Sequence, residues 1–260
     1  MHRFFVEKAR VMNGDSGENR HLWIDGEDGK HILRVLRLRQ GDIIQVVVNQ
    51  EEEWVGEIVE EERKRVKVRL REQIREERES SIHITLYQGV AKAAKMETVI
   101  QKSVELGVKT IVPVLTKRSV VEFKNRKDRE KKRERWQKIA YEAAKQCKRL
   151  EVPQVHEPIS FEESIGSMRQ NESLCSIVAY EEEKNYSLKE ALTAGRAKQL
   201  RYALWIGPEG GFEDEEITKL KEKGVRSVSL GQRILRTETA AIALIAVLQY
   251  ERGDLGGKIH

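Results

Sequence analysis

Tyr202-Ala203-Leu204-Trp205-Ile206-Gly207-Pro208-Glu209-Gly210-Gly211-Phe212 is an apolar run that breaks into glycines, and Glu213-Asp214-Glu215-Glu216 follow at once. The run over 202–206 reads as a buried strand, the glycines as a turn, and the acids as the start of a helix over 213–223. Acidic side chains there oppose the positive end of the helix dipole. They also occupy the place a phosphate would want, and no Gly-Lys-Ser/Thr ending follows the glycines, so a triphosphate would be repelled. A neutral adenosine or a sulfonium cation would not. GPEGGF is not GxGxxG and lies late in the chain, so a dinucleotide site is not indicated. By itself this loop remains compatible with an ordinary tight turn.

Working outward, a strand over 225–230 leads to a second loop, Gly231-Gln232-Arg233-Ile234-Leu235-Arg236. Thr237 or a neighbour is expected to cap the last helix, 238–250. Its body, 240–248, is apolar almost all round, so it must be buried on several sides or lie in a subunit interface. Two glycine-bearing strand-end loops side by side make a slot where backbone groups can hold an adenine. Upstream, strands over 82–87, 111–115 and 174–179 alternate with a helix over 92–106 and a long helix after residue 115. Gly107 stands where a helix C-cap glycine belongs. Such alternation predicts an α/β domain with a mostly parallel sheet. Residues 43–48, 54–59 and 66–70 read instead as short strands of a small barrel, interrupted by an amphipathic helix over 31–38. Between them, REQIREERES at 71–80 marks the boundary, giving domains over 1–72 and 73–260.

At 260 residues, 39% of them hydrophobic, the chain can bury a core in each domain, and its net charge is +5. Cys147 and Cys175 are far apart and imply neither a disulfide framework nor a zinc site. No metal-ligand cluster is evident. The N-terminus, 1–10, has no apolar stretch suited to a signal peptide. The apolar run at 240–248 is well short of the roughly 20 residues a membrane span needs. A cytoplasmic protein without a membrane partner is therefore expected.

Positive charge is local. KNRKDREKKRERWQK at 124–138 carries nine basic residues against three acidic ones, which suits either a solvated helix face or a phosphate-binding arm. Trp136, Ile139, Ala140, Ala143, Cys147 and Leu150 form a core-facing stripe on the same helix. Glu142, Gln146 and Arg149 fall on a polar row beside it, either a surface ladder or a substrate-facing edge. Lys92, Lys95 and Lys102 lie on a second helix, and Arg34, Arg37 and Arg39 in the first domain. Basic groups in both domains suit an extended RNA surface.

Taken together, HILRVLRLRQGD (31–42), QKSVELGV (101–108), EAAKQCKRLEVP (142–153), LWIGPEGGFEDEEI (204–217) and SLGQRILRTETAAIAL (229–244) resemble the ribosomal RNA small subunit methyltransferase E family, of the SPOUT class. MHRFFVE (1–7) and VPVLTKRSV (112–120) extend the resemblance over nearly the whole chain. It implies a PUA-like β-barrel followed by a SPOUT domain tied in a trefoil knot, a topology that periodicity cannot reveal. It further implies a homodimer that uses S-adenosyl-L-methionine to methylate N3 of a uridine in 16S ribosomal RNA within the small subunit. Gly207, Pro208, Glu209, Gly210, Gly211, Leu230, Gly231, Ile234, Leu235 and Arg236 would then line the cofactor pocket. Arg118, Glu142, Gln146 and Arg149 would lie toward the RNA or the dimer partner.

Uridine N3 is mostly protonated at neutral pH, and removing that proton costs about 3 kcal/mol. A positioned base, or a cation beside the uracil anion, can supply this. Arg236 is the candidate cation, with Glu238 or Glu209 to orient it or take the proton. Arg34, Arg37, Lys92, Arg118 and Arg149 are the candidate RNA contacts. Two rival readings stand beside this one: a non-enzymatic RNA-binding or ribosome-assembly protein, and an enzyme that methylates a ribose 2′-OH or a transfer RNA.

Overall fold

Residues 1–7, 11–13, 20–76, 78–168, 174–193 and 200–257 are described by a computed structural model. The tail of the charged N-terminus, 8–10, and Glu77 in the boundary stretch lie outside them. The chain packs as two units, Met1–Glu79 with Lys145–Val152, and Ser80–Ala144 with the chain from Pro153 on.

In the first unit the β-rich runs become β1 (Arg3–Val6), β2 (Val11–Asn13) and β3 (Arg20–Ile24). A short helix, α1 (Gly26–Lys30), precedes β4 (Ile43–Val48), β5 (Glu52–Glu62) and β6 (Arg65–Ile74). They form one mixed sheet in the order β1-β4-β5-β6-β3-β2, with β1 parallel to β4 and the other pairs antiparallel. Side-chain alternation decides which face is buried. In β6, Val66, Val68 and Leu70 join Phe4, Leu22, Ile44 and Ile58 in the core, while Arg65, Lys67 and Arg69 remain accessible.

The helix expected over 31–38 takes another form. α1 begins earlier and is continued by one π-helical turn, His31–Val35, in which the Leu36 N–H donates to the His31 carbonyl at 3.0 Å. Leu38 does not share a regular helical face with Ile32 and Leu36. The widened turn, followed by Arg37 at φ 56°, lets all three pack on the core.

The second unit continues with β7 (His83–Gly89), α2 (Ala93–Glu105), β8 (Thr110–Leu115) and α3 (Arg126–Gln146). Next come β9 (Gln154–Val155), β10 (Ile159–Ser160), α4 (Phe161–Gly166), β11 (Leu174–Ala179), α5 (Leu188–Thr193) and β12 (Arg201–Ile206). The chain closes with α6 (Asp214–Glu222), β13 (Arg226–Val228) and α7 (Thr237–Arg252). The sheet runs β10-β8-β7-β12-β11-β13, with β9 beside β8, and every pair is parallel. Central strands of such a sheet are covered on both faces, which is why β12 is buried from Tyr202 to Ile206. Trp205 stacks on Tyr87 of the neighbouring strand, ring centroids 4.1 Å apart. Gly107 (φ +82°) ends α2 as its sequence position suggests: its own N–H reaches the Val104 carbonyl and the Val108 N–H reaches that of Ser103.

One expectation about helices changes, and another is narrowed to one of its two alternatives. The polar row Glu142, Gln146, Arg149 is broken, because α3 stops at Gln146 and Lys148 turns into the left-handed region at φ 62°. α7 buries Ala241, Leu244, Ile245 and Leu248 but leaves Val247 41% and Tyr250 67% exposed, so one side of this apolar helix is uncovered in the single chain. Among the described residues, no helix is long and apolar enough to cross a membrane.

Candidate functional site

Parallel pairing brings four strand ends to one edge. Ile206 at the end of β12 lies beside Gln88 of β7 and Ala179 of β11, and Ala179 lies beside Val228 of β13. The carboxyl edge of an open parallel sheet is where such folds bind ligands. The two glycine-bearing loops leave from this edge.

The first loop folds back tightly. Gly211 sits at φ +72°, and a Cβ there would collide with the Glu181 carboxylate. Pro208 presses on β7, where a Cβ on Gly89 would come within 2.5 Å of the Pro208 nitrogen. A side chain at Gly89 would push the loop off the sheet, whereas one at Gly211 would be strained by its positive φ and would displace the Glu181 carboxylate. The acids after it behave as expected of a helix start. Buried Glu216 accepts the Glu213 N–H at 2.9 Å and the Lys117 N–H at 3.0 Å. Arg118 donates to Glu213 at 2.8 Å and to the Gly210 carbonyl at 2.9 Å, while Lys117 pairs with Glu215.

The second loop is fastened to the first. Thr237 does not cap its own helix; the N-cap is Arg236, without a side-chain hydrogen bond to the helix. The Thr237 hydroxyl instead donates to the Gly207 carbonyl at 2.6 Å. Fully buried Gln88 donates through Nε2 to Thr237 Oγ1 at 2.9 Å and to the Gly89 carbonyl at 3.0 Å. One buried amide thus ties together β7, the first loop and the start of α7.

Between the loops lies a cavity of about 430 Å³. Of the residues singled out in the sequence, Gly207, Pro208, Glu209, Gly211, Ile234, Leu235 and Arg236 line it. Leu230 and Gly231 line an adjoining recess of about 80 Å³. Gly210 does not line either; the place of its missing Cβ is only 3.1 Å from the Arg118 side chain. Ile206, Thr237 and Ala240, which flank the two loops, also line the cavity, and so do Lys95, Ala179 and Glu181, which were not anticipated. A signal for two of them existed, since Ala179 and Glu181 lie at the end of the apolar run 174–179.

Glu209 accepts the Lys92 N–H at 3.2 Å and faces the Lys95 ammonium at 3.3 Å. Burial works against its charge, but backbone N–H groups and Lys95 outweigh burial and hold its carboxyl below the usual range. Such a carboxylate is a poor proton acceptor. Glu238 differs: its Oε2 is buried and has no hydrogen-bond partner among the described residues. Arg236, two residues before it, is exposed.

The candidate RNA contacts separate. Arg34, Arg37, Lys92 and Arg118 are exposed, although Arg118 is committed to Glu213 and Gly210. Arg149 is buried, 3% exposed, and its guanidinium pairs with Glu79 at 2.7 Å, so it braces its own unit instead of facing solvent. Glu79 also accepts the N–H groups of Leu150 and Glu151. No cluster of His, Cys, Asp or Glu suited to a metal ion occurs among the described residues.

Residues 78–249 match the RNA methyltransferase domain family, and residues 24–71 match the RNA methyltransferase PUA domain family. The chain is 35% identical over 261 residues to the ribosomal RNA small subunit methyltransferase E of Bacillus subtilis, covering 98% of this chain and 100% of the relative. It is 31% identical to the protein of the same name from Aquifex aeolicus, over 95% of this chain and 99% of the other. Among solved structures, the Neisseria gonorrhoeae methyltransferase E bound to S-adenosyl methionine superposes with a TM-score of 0.83 at 29% identity, covering 98% of this chain and 99% of the other. A putative methyltransferase from Legionella pneumophila, in complex with the same cofactor, gives 0.81 at 33%, covering 97% and 98%.

Proposed function

The chain belongs to the ribosomal RNA small subunit methyltransferase E family, and from that premise we propose that it methylates N3 of a uridine in 16S ribosomal RNA with S-adenosyl-L-methionine. The observation that carries this reading is the cavity between the two fastened loops. Its residues suit the cofactor: the first loop keeps a Cβ-free wall at Gly207 and Gly211, and the carboxylates of Glu181 and Glu209 border a space that would repel a phosphate but not a nucleoside without one.

The bound cofactor supplies an activated methyl group whose thioether leaves without needing an acid. The chain's own residues must make N3 nucleophilic. Arg236, exposed at the cavity wall, stabilises negative charge on the uracil. Glu238, with its buried and unpartnered Oε2, orients that guanidinium or takes the N3 proton. Glu209 is left out as the acceptor, since Lys95 and the Lys92 N–H hold it in its charged form.

In the same reading, residues 1–72 are the PUA-like RNA-binding domain and 73–260 the SPOUT domain, whose C-terminal loops form a trefoil knot. Arg34, Arg37 and Lys92 contact RNA phosphates. The uncovered Val247 and Tyr250 of α7 are the surface that a homodimer would bury. The enzyme works in the cytoplasm on the small ribosomal subunit.

Calorimetric titration with S-adenosylhomocysteine separates this reading from a non-enzymatic RNA-binding protein. Saturable binding that weakens when Gly211 becomes Val supports the cavity as the cofactor site. An absence of binding heat to the intact protein over a range of temperatures rejects it.

A further inference from the structure

Tyr180-Glu181-Glu182-Glu183 follows β11, and its side chains divide sharply in role. The Tyr180 hydroxyl donates to Asp214 at 2.6 Å, and Glu183 faces Lys221 at 3.4 Å. Glu181 alone of the four borders both the main cavity and the small recess. No hydrogen bond or ion pair among the described residues engages its carboxylate. Gly211 makes room for it, since any side chain at that position would displace the carboxylate from the cavity wall.

We propose that Glu181 is a specificity-determining residue whose carboxylate accepts hydrogen bonds from a vicinal diol, the ribose of the nucleoside cofactor. This rests on the reading of the cavity as the cofactor site. The recess is bounded by the apolar Leu230, Leu235 and Ala240 and by the polar Ser229, Gln232 and Arg233, a mixed lining that suits a flat base with hydrogen-bonding edges. The next group outward from the base is the ribose, and Glu181 stands where the recess opens into the larger cavity. An ionised carboxylate is acceptor-only and has two oxygens, so it can take both hydroxyl donors at once. Glu209, the other carboxylate of the cavity, is already engaged by Lys95 and the Lys92 N–H.

The test is calorimetric titration of the intact protein and its Glu181→Ala and Glu181→Gln variants with three probes: S-adenosylhomocysteine, its 2′,3′-dideoxy analogue, and S-adenosylmethionine. The intact protein should bind the ribose form roughly tenfold or more tightly than the dideoxy form. Glu181→Ala should bring that ratio close to one by weakening the ribose form alone, and Glu181→Gln should fall between. Equal weakening of both forms, or no diol preference in the intact protein, overturns the assignment while leaving the cofactor site standing. Loss of the preference for S-adenosylmethionine over S-adenosylhomocysteine, with the diol preference kept, also overturns it and assigns the carboxylate to the sulfonium. No binding of any probe to the intact protein removes the cofactor reading itself.

Discussion

The Thr237 hydroxyl donates to the carbonyl oxygen of Gly207, 2.6 Å away across 30 residues of chain, and so locks the loop after β12 to the first turn of α7. Gln88 buttresses the pair from β7 through its hydrogen bond to the same hydroxyl. Gly207 and Thr237 both line the cavity, where loop position decides whether a ligand fits.

Replacing Thr237 by Val keeps its shape and removes the hydroxyl. The Gln88 amide and the Gly207 carbonyl then each lose one hydrogen bond but keep the one they share at 3.3 Å, and unfolding in urea should show a loss of about 1 kcal/mol. Cofactor affinity should fall as well, because both loops are released. Unchanged urea midpoints would mean that the loops are held by other contacts.

Arg149 should behave as a structural residue. Arg149→Ala leaves Glu79 with a partly buried, unpaired charge and should destabilise the protein by about 3 kcal/mol. Arg149→Ala should leave the salt dependence of RNA binding by the folded fraction unchanged.

Arg34 and Arg37 should show the opposite pattern. Each is exposed, and replacing either by Ala should lower the slope of log affinity against log salt for RNA by about one. Stability and S-adenosylhomocysteine affinity should not move. A salt slope equal to that of the intact protein would remove these residues from the RNA surface.

Glu209 gives a pH signature. Its folded carboxyl is held below the usual carboxylate range, so the stability it contributes is fully present above that range. That contribution is lost as pH falls through the lower folded value. Intact protein should therefore exceed Glu209→Gln in thermal stability at neutral pH, and the gap should close as the solution is acidified below about pH 4. A gap independent of pH would assign the effect to shape instead of charge.

Much of the second unit was legible because its strands are buried on both faces and so read as short apolar runs. The matching bounds at Leu174–Ala179 follow from that, as does Gly107 at the end of α2. The glycine loops could be read because glycine marks a backbone need that local sequence displays. Glu181, Lys95 and Gln88 escaped because their importance comes from which strands are neighbours, and β11 lies beside β12 through pairing that no local pattern encodes. Arg149 was misplaced for a related reason. Helical spacing put it on an exposed row, whereas the chain leaves the helix at Lys148 and turns the guanidinium onto Glu79, distant in sequence. The π-helical turn at His31–Val35 was invisible because Ile32 and Leu36 fit an ordinary amphipathic helix, and only the core that Leu38 must also reach requires the wider turn.

The most direct test of the central claim is transfer of labelled methyl from S-adenosylmethionine to small ribosomal subunits that lack the modification, followed by nucleoside analysis. The proposed reaction predicts label in 3-methyluridine, lost with Arg236→Ala although cofactor still binds. Label confined to 2′-O-methylnucleosides, or none on RNA at all, would contradict it.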